Sequence, residues 1–257
     1  MLRSSLIIAA VLLSAGASSR ITAQQPKVIH IMVALCDNTY QGIVPVPAKI
    51  GNGQDPYNNL YWGCGYGVRT YFRKSGEWTE VQNRKSTGAV LERSVFKHKD
   101  GEWYIVADAY DGMYIKKCTK NFLESCSGAK EGTVKADDTE LQIYGGARMV
   151  AYVGHNGLMN FGLTNIYKSR DDIQRDAVIL GCRSKEYFAG YLRSAKANPV
   201  LWTTGNMAPE AYTLHDAISE YIRGGTTEAI GTAAAAAYNK YQKCGLNGAK
   251  RLLVSGY

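Results

Sequence analysis

The chain has 257 residues, 46% of them apolar and 20% charged, and carries a formal net charge of +8. That length suits one large domain or two small ones. The basic charges are scattered rather than striped, which indicates a solvated surface and argues against nucleic-acid binding.

The first element is N-terminal. Met1-Leu2-Arg3 opens with a positive charge, an apolar run follows from Leu6 to Leu13, and small residues lead to Ala23. These are the parts of a cleavable secretory signal, and the run is too short to span a bilayer. Residues 1–23 are therefore expected to be removed, leaving a secreted or periplasmic protein with no membrane span. Loss of Arg3 and Arg20, with no acid, lowers the charge from +8 to +6. All six cysteines, Cys36, Cys64, Cys118, Cys126, Cys182 and Cys244, lie beyond this segment. An even count in an oxidising compartment favours disulfides, and Cys118 with Cys126 is the easiest pair to imagine.

Residues 24–257 alternate short apolar runs with amphipathic stretches, the pattern of a single α/β domain around a mostly parallel sheet. Val28 to Leu35, Trp103 to Ala107, Met149 to Val153, Ala177 to Leu180 and Val200 to Thr203 read as strands covered on both faces. Between the first two, Asp37 to Asp55 is a long loop rich in Gly, Pro and Asn, leaving the strand edge where doubly wound sheets bind ligands. Tyr61 to Lys74 reads as a first helix weakened by Gly63, Gly65 and Gly67. Arg84 to Asp100 suggests a peripheral hairpin, and Lys130 to Asp138 a polar surface loop. Helices are expected over Lys185 to Lys196, from Pro209 to Gly224, and from Thr226 to Lys243.

Two strand ends carry candidate chemistry. Met149-Val150-Ala151-Tyr152-Val153-Gly154 ends on His155-Asn156-Gly157, and the next strand ends on Gly181-Cys182-Arg183-Ser184. Consecutive strands joined by a short crossover are usually neighbours, so His155 and Cys182 should emerge side by side. An imidazole there can take the thiol proton, and the start of the following helix favours thiolate. A backbone N–H beside Gly157 can receive a developing oxyanion.

An apolar strand ending in His and Gly, followed by one ending in a small residue and Cys, resembles the caspase–legumain–gingipain group of cysteine peptidases. The resemblance implies a three-layer caspase-like α/β fold with helices on both faces. It implies Cys182 as nucleophile, His155 as acid/base, and a protein or peptide substrate cleaved after one residue type. Asn156 stands where that group has Gly directly after His, so the oxyanion role passes to Gly157. Gly181 replaces the usual Ala, and Leu180 stands where a polar specificity residue is common. Asp37, just past the first strand, occupies a place that would suit a Lys or Arg of the substrate.

The contrasting expectation is a catalytically silent binding module, with Cys182 a structural thiol or half of a disulfide such as one with Cys244. No other motif competes. Gly63-Cys64-Gly65-Tyr66-Gly67 does not directly follow a strand and lacks a trailing Lys-Ser/Thr, which argues against a phosphate loop. His30 and His98 have no partner at zinc spacing, and Asp137-Asp138 and Asp171-Asp172 lack calcium-loop spacing. No cofactor or metal is expected. His215 is expected on a helix surface.

Overall fold

Residues 25–257 are described by a computed structural model; the expected signal segment lies outside the described residues. In chain order the elements are β1 (Lys27–Ala34), α1 (Val68–Lys74), β2 (Trp78–Lys85), β3 (Val90–His98), β4 (Trp103–Tyr110) and α2 (Ile115–Cys126). Then come β5 (Glu131–Ala136), β6 (Thr139–Tyr144), β7 (Met149–Val153), β8 (Asp176–Leu180), α3 (Ser184–Ser194) and β9 (Asn198–Thr203). The C-terminal part adds α4 (Ala211–Ile222), α5 (Thr227–Gln242), α6 (Leu246–Leu252) and β10 (Leu253–Val254).

The five expected strands form the centre of one eight-stranded sheet, ordered β10-β9-β8-β7-β1-β4-β3-β2. Pairings β9–β8, β8–β7, β7–β1 and β1–β4 are all parallel, whereas β3, β2 and β10 join antiparallel. The chain therefore lays β4 on one side of β1 and then reverses to place β7, β8 and β9 on the other. In doubly wound sheets, ligand sites lie at the carboxyl ends of the strands beside such a reversal, here β1 and β7.

Near-continuous apolar runs make this centre possible. Only Lys27, the first residue of β1, is not buried, and every residue of β7 is buried. Alternation along β1 distributes its side chains between two apolar clusters. Ile29, Ile31 and Val33 pack with Phe72 of α1, Tyr212, Leu214 and Ile218 of α4, and Ile230 of α5. Met32 and Ala34 pack with Phe122 of α2 and with Phe188 and Leu192 of α3. Each such fully buried side chain contributes about 1.5–3 kcal/mol from removing apolar area from water. No helix among the described residues is long and apolar enough to cross a membrane.

Several local expectations need correction. The first helix begins only at Val68, because a Cβ at Gly63 would fall 1.9 Å from the Tyr57 carbonyl oxygen and one at Gly67 2.5 Å from the Trp62 backbone. The glycines serve a tightly folded turn. The hairpin at Arg84 to Asp100 is larger than expected, with β2 starting at Trp78. Residues from Lys130 to Asp138 are not a surface loop: β5 pairs with β6, and Val134, Ala136, Leu141 and Ile143 are buried against the sheet. His215 is buried against the rings of Tyr71 and Phe72, at centroid distances of 5.4 and 5.3 Å.

Beside the β5–β6 hairpin lies a buried polar network. Arg93 donates to Asp108 through Nε and Nη2, and His30 Nε2 meets Asp108 Oδ2 at 3.1 Å. The Tyr144 N–H donates to His30 Nδ1 at 3.1 Å, which leaves Nε2 as the protonated, donating nitrogen of a neutral ring. Burial alone would push the Asp108 carboxyl up, but the hydrogen bonds from Arg93 and His30 and the charge of Arg93 hold it below the usual carboxylate range.

Candidate active site

Strands β7 and β8 run side by side, with Val153 opposite Leu180 as their last pair. The Gly154 N–H still donates to the Leu180 carbonyl at 3.0 Å. Gly154 then turns the chain at φ 141°, where an added Cβ would lie 2.6 Å from the Ala34 carbonyl oxygen of β1. Glycine is required here on both counts. Beyond this turn His155 and Cys182 each stand two residues past the last pair, in the loops that leave neighbouring strands.

Asn156 ties the two ends together. Fully buried, it donates from Nδ2 to the Cys182 carbonyl at 2.8 Å, and its Oδ1 accepts the Leu158 N–H at the start of the short 3₁₀ turn Gly157–Met159. The Tyr152 hydroxyl donates to the His155 carbonyl at 2.7 Å, fixing the backbone from below. The residue that interrupts the family pattern is thus the bridge between the loops that carry the imidazole and the thiol.

The His155 ring is partly buried, and its Nε2 lies 2.5 Å from Asn160 Oδ1. Burial lowers the ring pKa, and the bond to Asn160 only partly offsets it, so His155 is neutral at neutral pH. Cys182 is partly exposed and carries a free thiol. Its Sγ donates to the Met207 carbonyl at 3.6 Å and accepts the Met207 N–H at 3.4 Å. Among the described residues no hydrogen bond joins the thiol to the ring; each rests on a loop partner.

Cys182 lies just outside the first turn of α3. The N-cap is Arg183 in the left-handed conformation at φ 50°, and its N–H donates to the Gly205 carbonyl. Thr203 fixes this corner, its hydroxyl donating to the Gly181 carbonyl and meeting Ser184 Oγ at 3.1 Å. Neither the Gly157 N–H nor the Cys182 N–H has an acceptor among the described residues; Gly157 is buried against the Phe161 ring, which would lie 2.5 Å from an added Cβ, whereas Cys182 is partly exposed. None of five cavities of 300 to 500 Å³ is lined by His155 or Cys182.

Asp37 is turned inward. Only 1% exposed, its Oδ1 accepts the Thr39 and Tyr40 N–H groups at 2.8 and 3.0 Å, and its Oδ2 accepts from Gln54 at 2.8 Å. Its carboxylate organises the Asp37 to Asp55 loop instead of facing an open surface. Asn59 fastens the same loop by bonding both Cys36 backbone groups and the Asn52 carbonyl. The loop reaches the candidate site at Gly42, where an added Cβ would lie 3.1 Å from Asn160 Nδ2.

All six cysteines are free in the structure. Cys118 and Cys126, expected as the easiest disulfide, both lie on α2. Eight helical residues separate them by about 12 Å, beyond the Cα separation that a disulfide can span. Burial raises both thiols far above their ordinary range and pushes Cys36 up to about 11. Cys244 is exposed and its thiol faces the Gly245 carbonyl, not Cys182.

The structure therefore brings His155, Gly157 and Cys182 to one edge and places Asp37 inside its own loop. Asn156, Asn160 and Met207 escaped the sequence reading. Only Asn156 carried a local signal, as a helix-capping residue type before Gly157. No protein-family model, curated protein or solved structure matches the chain.

Proposed function

We propose that the protein is an exported cysteine peptidase of caspase-like type that works by acyl transfer through Cys182. The observation that carries this reading is the placement of His155 and Cys182 two residues past the last pair of adjacent parallel strands, with Asn156 bonded from one loop to the other at 2.8 Å. The separate apolar clusters of α2 with α3, and of α1 with α4 and α5, support the three-layer arrangement of that class.

Neutral His155 takes the proton of the Cys182 thiol, and the thiolate attacks a peptide carbonyl carbon. The carbonyl oxygen, now negative, is met by the N–H of Cys182. As the C–N bond breaks, His155 returns its proton to the departing amine. Water then attacks the thioester carbon, giving one proton to His155; the C–S bond breaks, the acyl group leaves as a carboxylic acid, and His155 returns the proton to the Cys182 sulfur.

Native alkylation with iodoacetamide at neutral pH, mapped by mass spectrometry, tests the reading, with Cys244 as the ordinary exposed thiol. Cys182 should react faster than Cys244, and His155→Ala should remove the advantage. Hydrolysis of a fluorogenic peptide library should disappear in Cys182→Ala. Slow labelling of Cys182 that ignores His155, or hydrolysis that survives Cys182→Ala, would sink the proposal.

A further inference from the structure

Asn160 is not used by the chemistry just described, yet it makes the only side-chain hydrogen bond to the His155 ring among the described residues. It sits at the end of the 3₁₀ turn that Asn156 caps. On its other side its Nδ2 faces the backbone of Gly42, which holds φ +62° in the loop after β1. With the amide nitrogen facing Gly42, its oxygen is the atom presented to the ring. An amide oxygen can only accept, so the ring nitrogen it meets must carry the hydrogen.

We infer that Asn160 is a positioning residue that locks His155 as the Nε2–H tautomer and so leaves Nδ1 as the free base for Cys182. This rests on the peptidase reading and completes it, turning a Cys/His pair into a Cys–His–Asn constellation. The loop from Asp37 to Asp55 belongs to the same unit, because Gly42 walls Asn160 on the side away from the ring. Two titratable groups face His155 from the packed elements. They are the Tyr152 phenol, bonded to the His155 carbonyl, and, past the end of the adjacent strand, the Cys182 thiol, which rests on Met207 and not on the ring. Among the described residues no carboxylate or ammonium group is bonded to the ring, and Lys116 lies over Phe161 instead. The tautomer thus depends on Asn160.

The test compares the native protein with Asn160→Ala and Asn160→Asp. Two readouts are used: the His155 tautomer from ring ¹⁵N NMR shifts, and the pH dependence of Cys182 alkylation. The native ring should be the Nε2–H form. Asn160→Ala should give a mixture of tautomers and a fall of about tenfold in Cys182 alkylation at neutral pH, with the thermal midpoint checked for folding. Asn160→Asp keeps an acceptor in place and adds a negative charge. It should retain the tautomer and move the acid limb of the alkylation profile up by about one pH unit or more. An Nδ1–H ring in the native protein overturns the inference, as does an Asn160→Ala profile within about twofold of native. Failure of the dyad itself is a separate result, read as alkylation that does not respond to His155→Ala whatever the tautomer.

Discussion

The side-chain amide of Asn156 donates to the carbonyl of Cys182 across 2.8 Å, joining the loop after one central strand to the loop after its neighbour. Because Asn156 follows His155 directly, the bond sets the spacing of imidazole and thiol without touching either. Asn156→Ala removes it and leaves a buried carbonyl unpaired, at a cost of about 1–3 kcal/mol. Cys182 alkylation should lose its dependence on His155 in that variant, while circular dichroism still reports a folded sheet.

The lowered pKa of His155 carries a pH consequence. The ring remains an unprotonated base below the ordinary imidazole value of about 6.5. The acid limb of kcat/KM should therefore fall below that value, not at it. His155→Ala should flatten the limb. In stability terms the sign is the same: the unfolded chain binds this proton more readily, so folding weakens as pH falls through the ordinary value.

Gly154 is under a double constraint, from its φ of 141° and from the Ala34 carbonyl. Gly154→Ala should destabilise the fold by about 1–3 kcal/mol and displace His155. Gly65, where an added Cβ meets nothing within 4 Å, supplies the control, since Gly65→Ala should leave the urea midpoint nearly unchanged.

Asp108 gives the sheet its acid limit. Its folded pKa is depressed, so its contribution is complete above the unfolded carboxylate value of about 3.9 and is lost as pH falls through the lower folded value. Urea unfolding at stepwise lower pH should show stability declining in that window. Asp108→Ala should cost about 3–5 kcal/mol at neutral pH, because Arg93 and His30 lose their shared partner in a buried site.

The parallel centre of the sheet was legible because strands buried on both faces show as unbroken apolar runs, as in Met149 to Val153. Helix α2 was not, because its buried side mixes Cys118 and Phe122 with Thr119 and Ser125. Those hydroxyls bond back to the Ile115 and Asn121 carbonyls, so they need no apolar signature. The β5–β6 hairpin was hidden by Lys135, Asp137 and Asp138 between its buried residues. His155 and Cys182 could be paired from strand order alone. Their local partners could not, since Met207 reaches Cys182 only through the return of the loop after β9.

The position of β1 has a consequence for how the chain acquires this shape. The first described strand becomes an inner strand of the sheet, and its neighbours are supplied much later: Lys27 pairs with Trp103 and Ile29 with Met149. Closing such distant pairs demands loop entropy before any contact rewards it, and this high contact order predicts slow folding. Until β4 and β7 arrive, the apolar length of β1 has two unpaired edges, so the nascent chain is vulnerable to aggregation long before the thiol and imidazole meet.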